Sequence, residues 1–469
     1  MENIKSNLSI KVPAKASVWY IASGALARGI GALTTPIFTR LLTPSEYGIY
    51  PLYNTWLGVL SVLVTLELTG SVIYRGFQKY GDDKEKFTSA ALGLLGVVFV
   101  GFCTVYFAFY GFLREFTGLN LTVTLFMFAE IFGTAIVSLY LARARYEYKY
   151  KAVALINLSS AVLSPALAVV LILVFSLGGE ARIFASSTVA LLISVPVAIM
   201  IIKRSDKLYS GEIWRYLLRR AIPLLPHYFA TALILKAGEI SIGHTHGTGA
   251  LGKYSIAMSV GMIMTVVTVG LLSALTPWIM RKIREGSMGI IRDFLFSISK
   301  ALALLSLGVL AIAPEVMSFL AAEGFRDALP AVYPLEIAVI LSFLSGAIMS
   351  GCAYYEKNWL SSLPSILAAL VSVILSLFVL PNIDYRFAGV FALISYLVLM
   401  LLISFVFKRL SGEYPIHLKK GAVLLLLTVG YAALLFVFRG VFLSRLFLAL
   451  PLALLLILCA RDILKMIRE

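Results

Sequence analysis

The sequence predicts an all-α integral membrane protein of about fourteen transmembrane helices, with two six-helix lobes followed by two C-terminal helices. Three observations carry that expectation. The 469 residues are 60% hydrophobic and 14% charged, and the mean hydropathy is +0.94. A soluble domain carries roughly 25% charged residues and has no core large enough to hide this much apolar surface. Apolar runs of about 20 residues recur from end to end, matching the thickness of bilayer hydrocarbon. Finally, Lys and Arg alternate between successive connections, as they do when every second loop faces the cytoplasm.

The predicted spans fall near 16–39, 47–70, 87–112, 119–142, 152–177, 182–202, 221–243, 250–277, 294–313, 331–355, 359–380, 387–407, 421–438 and 445–461. The runs are continuously apolar without period-2 alternation, which excludes a barrel. With a cytoplasmic N-terminus, the inner connections and both termini hold 29 of the 40 Lys and Arg residues and the outer loops hold eight. Arg28, Lys236 and Lys300 lie within spans. A wrong span count would scramble this alternation, so a multi-pass protein of the cell (inner or plasma) membrane with both termini cytoplasmic is expected. The net charge of +16 is then explained by topology, and no nucleic-acid partner is expected.

All connections are short. The longest inner one, 203–220, alternates Ile213, Trp214, Leu217 and Leu218 with Arg215, Arg219 and Arg220, the pattern of an interfacial helix. It divides an N-lobe (1–202) from a C-lobe (221–407), and 408–469 carries the last two spans and the C-terminus. On the outer side, 315–330 is too polar to span and is expected in the interface. A weak repeat agrees with the division. Gly48-Ile49-Tyr50 leads into the second span and Gly252-Lys253-Tyr254 into the eighth, 204 residues later. Six spans separate the copies, an even number, so the repeat is parallel.

Several motifs imitate soluble chemistry. Residues 247–253 (Gly-Thr-Gly-Ala-Leu-Gly-Lys) match phosphate-loop patterns, but those need a preceding strand, and here Tyr254 follows where a P-loop needs Ser or Thr. A turn is the better reading. His244 and His246 lack a carboxylate or thiolate cluster nearby in sequence, so no metal site is expected. Cys103, Cys352 and Cys459 sit in separate apolar runs as small hydrophobes. No nucleophile–base pair stands out, so no catalytic residue, enzyme activity or cofactor is expected.

The chemistry therefore rests on charges within spans, each of which costs several kcal/mol unless it faces the bundle interior or water. Arg28 lies mid-span with no acidic residue within two turns, so it needs a partner on another helix or an anionic ligand. Lys236 and Glu239 are three apart on one face, and both mutual pairing and ligand contact stay open. Lys300 and Glu336 are near enough to helix ends to snorkel. Glu67 and Glu130 are candidates for proton or sodium coupling or for pairing with a cation. Arg28, Lys236 and Lys300 thus form the candidate set of substrate-binding cations, and Glu67, Glu130 and Glu239 that of coupling or pairing carboxylates.

The stretch from Thr35 to Tyr50 (Thr-Pro-Ile-Phe-Thr-Arg-Leu-Leu-Thr-Pro-Ser-Glu-Tyr-Gly-Ile-Tyr) resembles the first two spans of polysaccharide-unit flippases. These are the Wzx-type, polysaccharide-transport branch of the MOP superfamily, which also holds the lipid II flippases and the MATE exporters. The resemblance implies a MATE-like architecture of two six-helix lobes. Arg28 occupies the kind of first-helix position used there for a cavity cation, and Lys236 is a weaker match. It implies a polyprenyl-diphosphate-linked oligosaccharide, moved from the inner to the outer leaflet by alternating access through a cationic cavity between lobes. It also implies partners among membrane lipids and glycan polymerase or ligase machinery, with coupling to H+, Na+ or membrane potential. A lipid II flippase or a cation-coupled MATE-type exporter is the alternative, and a membrane-embedded glycan polymerase or ligase a more distant one.

Overall fold

The computed structural model describes the backbone of residues 2–69, 71–205, 207–355 and 358–468. Side chains are described from residue 19, apart from 21, 70, 71, 206, 356–359, 361 and 462–469. The N-terminal lysines, Lys357 and the cations after Arg461 in the topology argument lie outside the described side chains. The described residues form helices and no strand, and the chain divides into two compact units, Met1–Phe229 and Ala230–Glu469.

The first unit holds α1 (Glu2–Leu41), α2 (Pro44–Thr65), α3 (Ser71–Lys79), α4 (Lys84–Ala108), α5 (Tyr110–Thr117), α6 (Leu121–Tyr146), α7 (Tyr150–Phe175), α8 (Glu180–Lys203), α9 (Gly211–Ala221) and the start of α10 (Leu225–Thr245). The second continues with α11 (Gly247–Gly261), α12 (Thr265–Arg284), α13 (Met288–Leu320), α14 (Val332–Ala353), α15 (Asn358–Ile374), α16 (Ala388–Ser411), α17 (Leu418–Val437) and α18 (Phe442–Arg468). Among the described residues, eleven helices are long and apolar enough to cross a membrane. The other three predicted spans coincide with α1, α2 and α10. Their composition is more polar, with Arg28 in α1 and Lys236 and Glu239 in α10, so the count of fourteen is approximate.

Helix breaks depart from the uniform spans expected. The second predicted span ends at Thr65, where Leu66 and Glu67 turn into the left-handed region (φ 49° and 48°). Glu67 therefore sits in a turn, half-buried, and not in a helix. Each such non-glycine residue costs about 1 kcal/mol or more, and the anchoring of α3 opposes it. Leu68, Ile73 and Phe77 are buried, with Phe77 edge-on to Phe87 of α4 at 5.2 Å. The eighth span is two helices, α11 and α12, broken at 262–264. The polar outer segment is shorter than expected. α13 runs on to Leu320, and Glu315 in its last turns binds Arg445 of α18 through both oxygens at 2.7 and 2.5 Å.

The 203–220 connection does carry an amphipathic helix. Ile213 and Leu217 of α9 are buried in the core of the first unit, and Trp214 donates its indole N–H to the Ala90 carbonyl at 2.8 Å. Packing repeats between the units. In the first, α6 and α7 pack on α8, α2 on α6 and α1 on α7; in the second, α14 and α15 pack on α16 and α11 on α14. α10 lies beside α15, where Ser372 donates to the Ile234 carbonyl at 2.7 Å. α17 and α18 pack on α13 outside that pattern. Large side chains such as Leu155, Leu173 and Phe175 of α7 stay exposed, which water would penalise and lipid does not.

Candidate functional site

A polar cavity of about 300 Å³ lies inside the first unit and is built from α1, α2, α6, α7 and α8. Its position begins with the turn joining α1 to α2. Thr43 caps α2 with Pro44 at the first helical position. The Glu46 carboxylate accepts from the Thr43 N–H at 2.9 Å and its hydroxyl at 2.8 Å, while the Thr43 hydroxyl accepts from the Glu46 N–H at 3.3 Å. Two orphan donors of the helix end are thereby satisfied reciprocally. The Thr43 N–H and then its hydroxyl hold the Glu46 carboxyl below the usual carboxylate range. Arg40 closes the other side of the turn on the Pro36 carbonyl at 2.8 Å. The turn is docked on Gly178 and Gly179 ahead of α8, so closely that a Cβ at Gly179 would stand 1.9 Å from the Glu46 carbonyl oxygen.

That docking brings Tyr47 and Tyr50 of α2 to Arg182 in the first turn of α8. The guanidinium lies over the rings of Tyr50, Phe38 and Tyr47 at 4.1, 4.6 and 4.7 Å. Three rings around one cation form an aromatic cage, whose attraction strengthens as water is removed. Arg182 Nη1 is buried without a hydrogen-bond partner, and Arg182 forms no ion pair among the described residues. Tyr50 stacks in turn on Tyr53 at 6.2 Å.

Tyr53 leads to the buried carboxylate. Its hydroxyl donates to Glu130 Oε2 at 2.7 Å, and Ser186 and Ser187 of α8 donate to the same oxygen at 2.8 Å each. Tyr53 and Ser187 also meet at 3.0 Å. Oε1 receives no hydrogen bond among the described residues, and Glu130 lines the cavity. Three hydroxyls on one oxygen offset the desolvation of a negative charge, and rotating one of them accommodates a protonated carboxyl. Ser186 stands one helical turn from Arg182 on α8, so cation and carboxylate line one space. Thr34, Thr134, Ser160 and Ser164 add hydroxyls to its wall. Such a site can take up a proton or a small cation at Glu130 and present Arg182 to an anion.

The other predicted residues are not brought into this cavity. Arg28 is on α1 beside Ala27 but on a different face; it is exposed and forms no ion pair among the described residues. Lys236 binds both oxygens of Glu239 at 2.9 and 2.8 Å within α10, the pairing that their spacing allowed. Lys300 lies over the Phe296 ring at 5.4 Å. Glu336 does not snorkel. It is fully buried in α14, the counterpart of α6, where the Ser306 hydroxyl faces it without forming a hydrogen bond of ordinary geometry. His246 bridges the Thr245 hydroxyl and the Ile383 carbonyl at 2.7 and 2.9 Å, and Gly247 takes φ 81° at the start of α11. The sequence reading missed Arg182, at the boundary of the predicted span 182–202 and one of the eight cations counted to the outer loops, together with Tyr53, Ser186 and Ser187. Only the aromatic run Tyr47, Tyr50, Tyr53 at helical spacing could have hinted at them.

The α1–α2 turn and the cavity helices fall inside residues 14–282, which match the family model described as "Polysaccharide biosynthesis protein". The chain belongs to that family. No curated protein matches it. Among solved structures, the polysaccharide biosynthesis protein is similar to the lipid II flippase MurJ in an inward closed conformation. Identity there is 12% and the TM-score 0.67, over 95% of this chain and 99% of that one. It is also similar to an inward-facing multidrug resistance MATE transporter of the MOP superfamily, at 14% identity and TM-score 0.66, over 82% and 96%. A MOP superfamily transporter from Pyrococcus furiosus gives 15% and 0.58, over 85% and 96%. The fold is therefore the MATE- and MurJ-like fold, in a multi-pass membrane protein.

Proposed function

We propose that this polysaccharide biosynthesis protein is a Wzx-type flippase that carries a polyprenyl-diphosphate-linked oligosaccharide from the inner to the outer leaflet. The observation that carries the reading is the coincidence of the family match with a flippase-like fold over 95% of the chain. The MATE exporter structures cover 82–86% of the chain against 95% for the flippase, which favours a flippase over a MATE-type exporter. Physically, sugars and diphosphate cannot enter hydrocarbon without polar partners, whereas the polyprenyl tail never leaves it. The protein supplies a polar surface that is exposed alternately to the two sides.

Arg28, unpaired among the described residues, is the cation assigned to the diphosphate. Lys236 contributes only if Glu239 releases it. Glu130 is the assigned coupling carboxylate, taking a proton or Na+ in a cavity where the hydroxyls of Tyr53, Ser186 and Ser187 hold it in place. With the cytoplasm negative, moving two negative charges outward is favoured by about 4–5 kcal/mol at 100 mV. Arg28→Ala should leave folded protein in the membrane while lipid-linked oligosaccharide accumulates on the inner leaflet. In proteoliposomes, collapsing the potential should slow flipping. Normal export by Arg28→Ala removes that residue from the site, and flipping indifferent to both potential and ion gradients defeats the coupling account.

A further inference from the structure

The second unit has a two-part site apart from the cavity described above. An apolar groove of about 340 Å³ runs between α13, α14, α16 and α17, walled by Phe296, Ile340, Leu344, Met400 and Leu425. At one end it meets a second cavity of about 530 Å³, lined by Arg292, Lys408, Lys419 and Lys420. The two share Ile416, His417 and Leu418, so they adjoin.

The charges at the mouth are not balanced. Arg292 is neutralised by Glu413 at 2.5 Å, and His417 faces Asp293 at 2.6 Å. Lys408, Lys419, Lys420 and Lys300 form no ion pair among the described residues. Lys300 and Lys420 both lie over Phe296, at 5.4 and 5.9 Å, so the ring that walls the groove also gathers cations at its entrance. Lys408 covers the Tyr414 ring at 4.5 Å.

From this juxtaposition of an unpaired lysine cluster with an apolar groove, we infer that the second unit holds a site for an anionic glycerophospholipid of the adjoining leaflet. The phosphate sits among Lys408, Lys419 and Lys420, and an acyl chain lies along the groove. Depth favours this occupant. Lys408 and Leu397 mark the two ends on α16, His417 and Thr428 those on α17, and each pair is eleven residues apart. At 1.5 Å per residue that is ~16 Å, half of the ~30 Å hydrocarbon core and so the thickness of one leaflet. Basic pockets at the ends of membrane helices are a recurrent way of holding such headgroups. The lysines fall on the side that the charge pattern makes cytoplasmic, where anionic lipids concentrate.

The test titrates the purified full chain in neutral detergent with phosphatidylglycerol or with phosphatidylcholine of the same chains, reading bound lipid by native mass spectrometry. Phosphatidylglycerol should bind and phosphatidylcholine should not. Lys419→Gln with Lys420→Gln should weaken phosphatidylglycerol about 30-fold, roughly five- to sixfold per lysine. Ala422→Phe, which fills the groove and keeps every charge, should also weaken it, at unchanged melting temperature in detergent alone. Equal binding of phosphatidylcholine, or a double variant within twofold of wild type, overturns the inference. Displacement by inorganic phosphate at matched concentration would reduce the site to an anion pocket. Displacement by polyprenyl diphosphate at equal concentration would make it a cargo site.

Discussion

Tyr53→Phe isolates the central bond of the first-unit cavity. Tyr53 is fully buried, and the substitution removes one hydroxyl while leaving the ring that stacks on Tyr50. The lost bond is the 2.7 Å donation to Glu130 Oε2, along with the 3.0 Å contact to Ser187. In soluble proteins a hydrogen bond to a charged group is worth about 1.5–3 kcal/mol. Between membrane helices, measured bonds average about 0.6 and reach about 1.7 kcal/mol. The two ranges overlap near 1.5 kcal/mol, and Ser186 and Ser187 keep Oε2 satisfied, so a loss of about 1.5 kcal/mol is expected. Reversible unfolding in mixed micelles reads it. A cycle with Glu130→Ala, which removes both acceptor oxygens, tests whether the loss runs through the carboxylate, with a coupling of about 1 kcal/mol expected. A coupling near zero would refute the network. Glu130→Gln alone retains shape and a carbonyl acceptor, so it should fold normally yet lose gradient-driven transport. Wild-type transport by that variant would remove Glu130 as the coupling group.

Gly179→Ala should destabilise the first unit by about 1–3 kcal/mol, since its methyl would meet the Glu46 carbonyl oxygen; an unchanged melting temperature would contradict the close approach. Arg182→Ala should cost about 1–2 kcal/mol by removing the cation from the three rings, and Arg182→Lys, which keeps a cation there, should lose less; full stability of the alanine variant would dismiss the cage. Glu46→Ala should cost about 0.5–1 kcal/mol through the cap. Because the folded carboxyl of Glu46 titrates below its unfolded value, that contribution is present above the unfolded value of about 4.3 and disappears as pH falls through the folded one. A wild-type-minus-variant stability difference that grows on acidification would reverse the sign.

Much of the fold was legible because a bilayer accepts few solutions. Backbone groups in hydrocarbon must bond within a segment, so long apolar runs become helices whatever else the sequence contains. The amphipathic helix was legible from the alternation of Ile213 and Leu217 with arginines, and the Lys236–Glu239 pair was one of the two readings its spacing allowed. The breaks were not. Nothing in composition marks Leu66 and Glu67 as left-handed, since their backbone is held by packing of Leu68 and Phe77 that lie beyond them.

The same division holds for the charges. By itself the sequence determined that this is a many-helix membrane protein, and the segment from Thr35 to Tyr50 suggested its family. That segment proves to be a helix cap whose Tyr47 and Tyr50 meet a cation from α8. Only tertiary structure decided which charges meet which partners. It placed Arg182 on a cavity wall, gave Glu130 three hydroxyls from α2 and α8, and buried Glu336. Hydropathy is a sum along the chain and survives any arrangement of the helices. A charge's partners depend on which faces of distant helices are brought together, and those contacts exist only after folding.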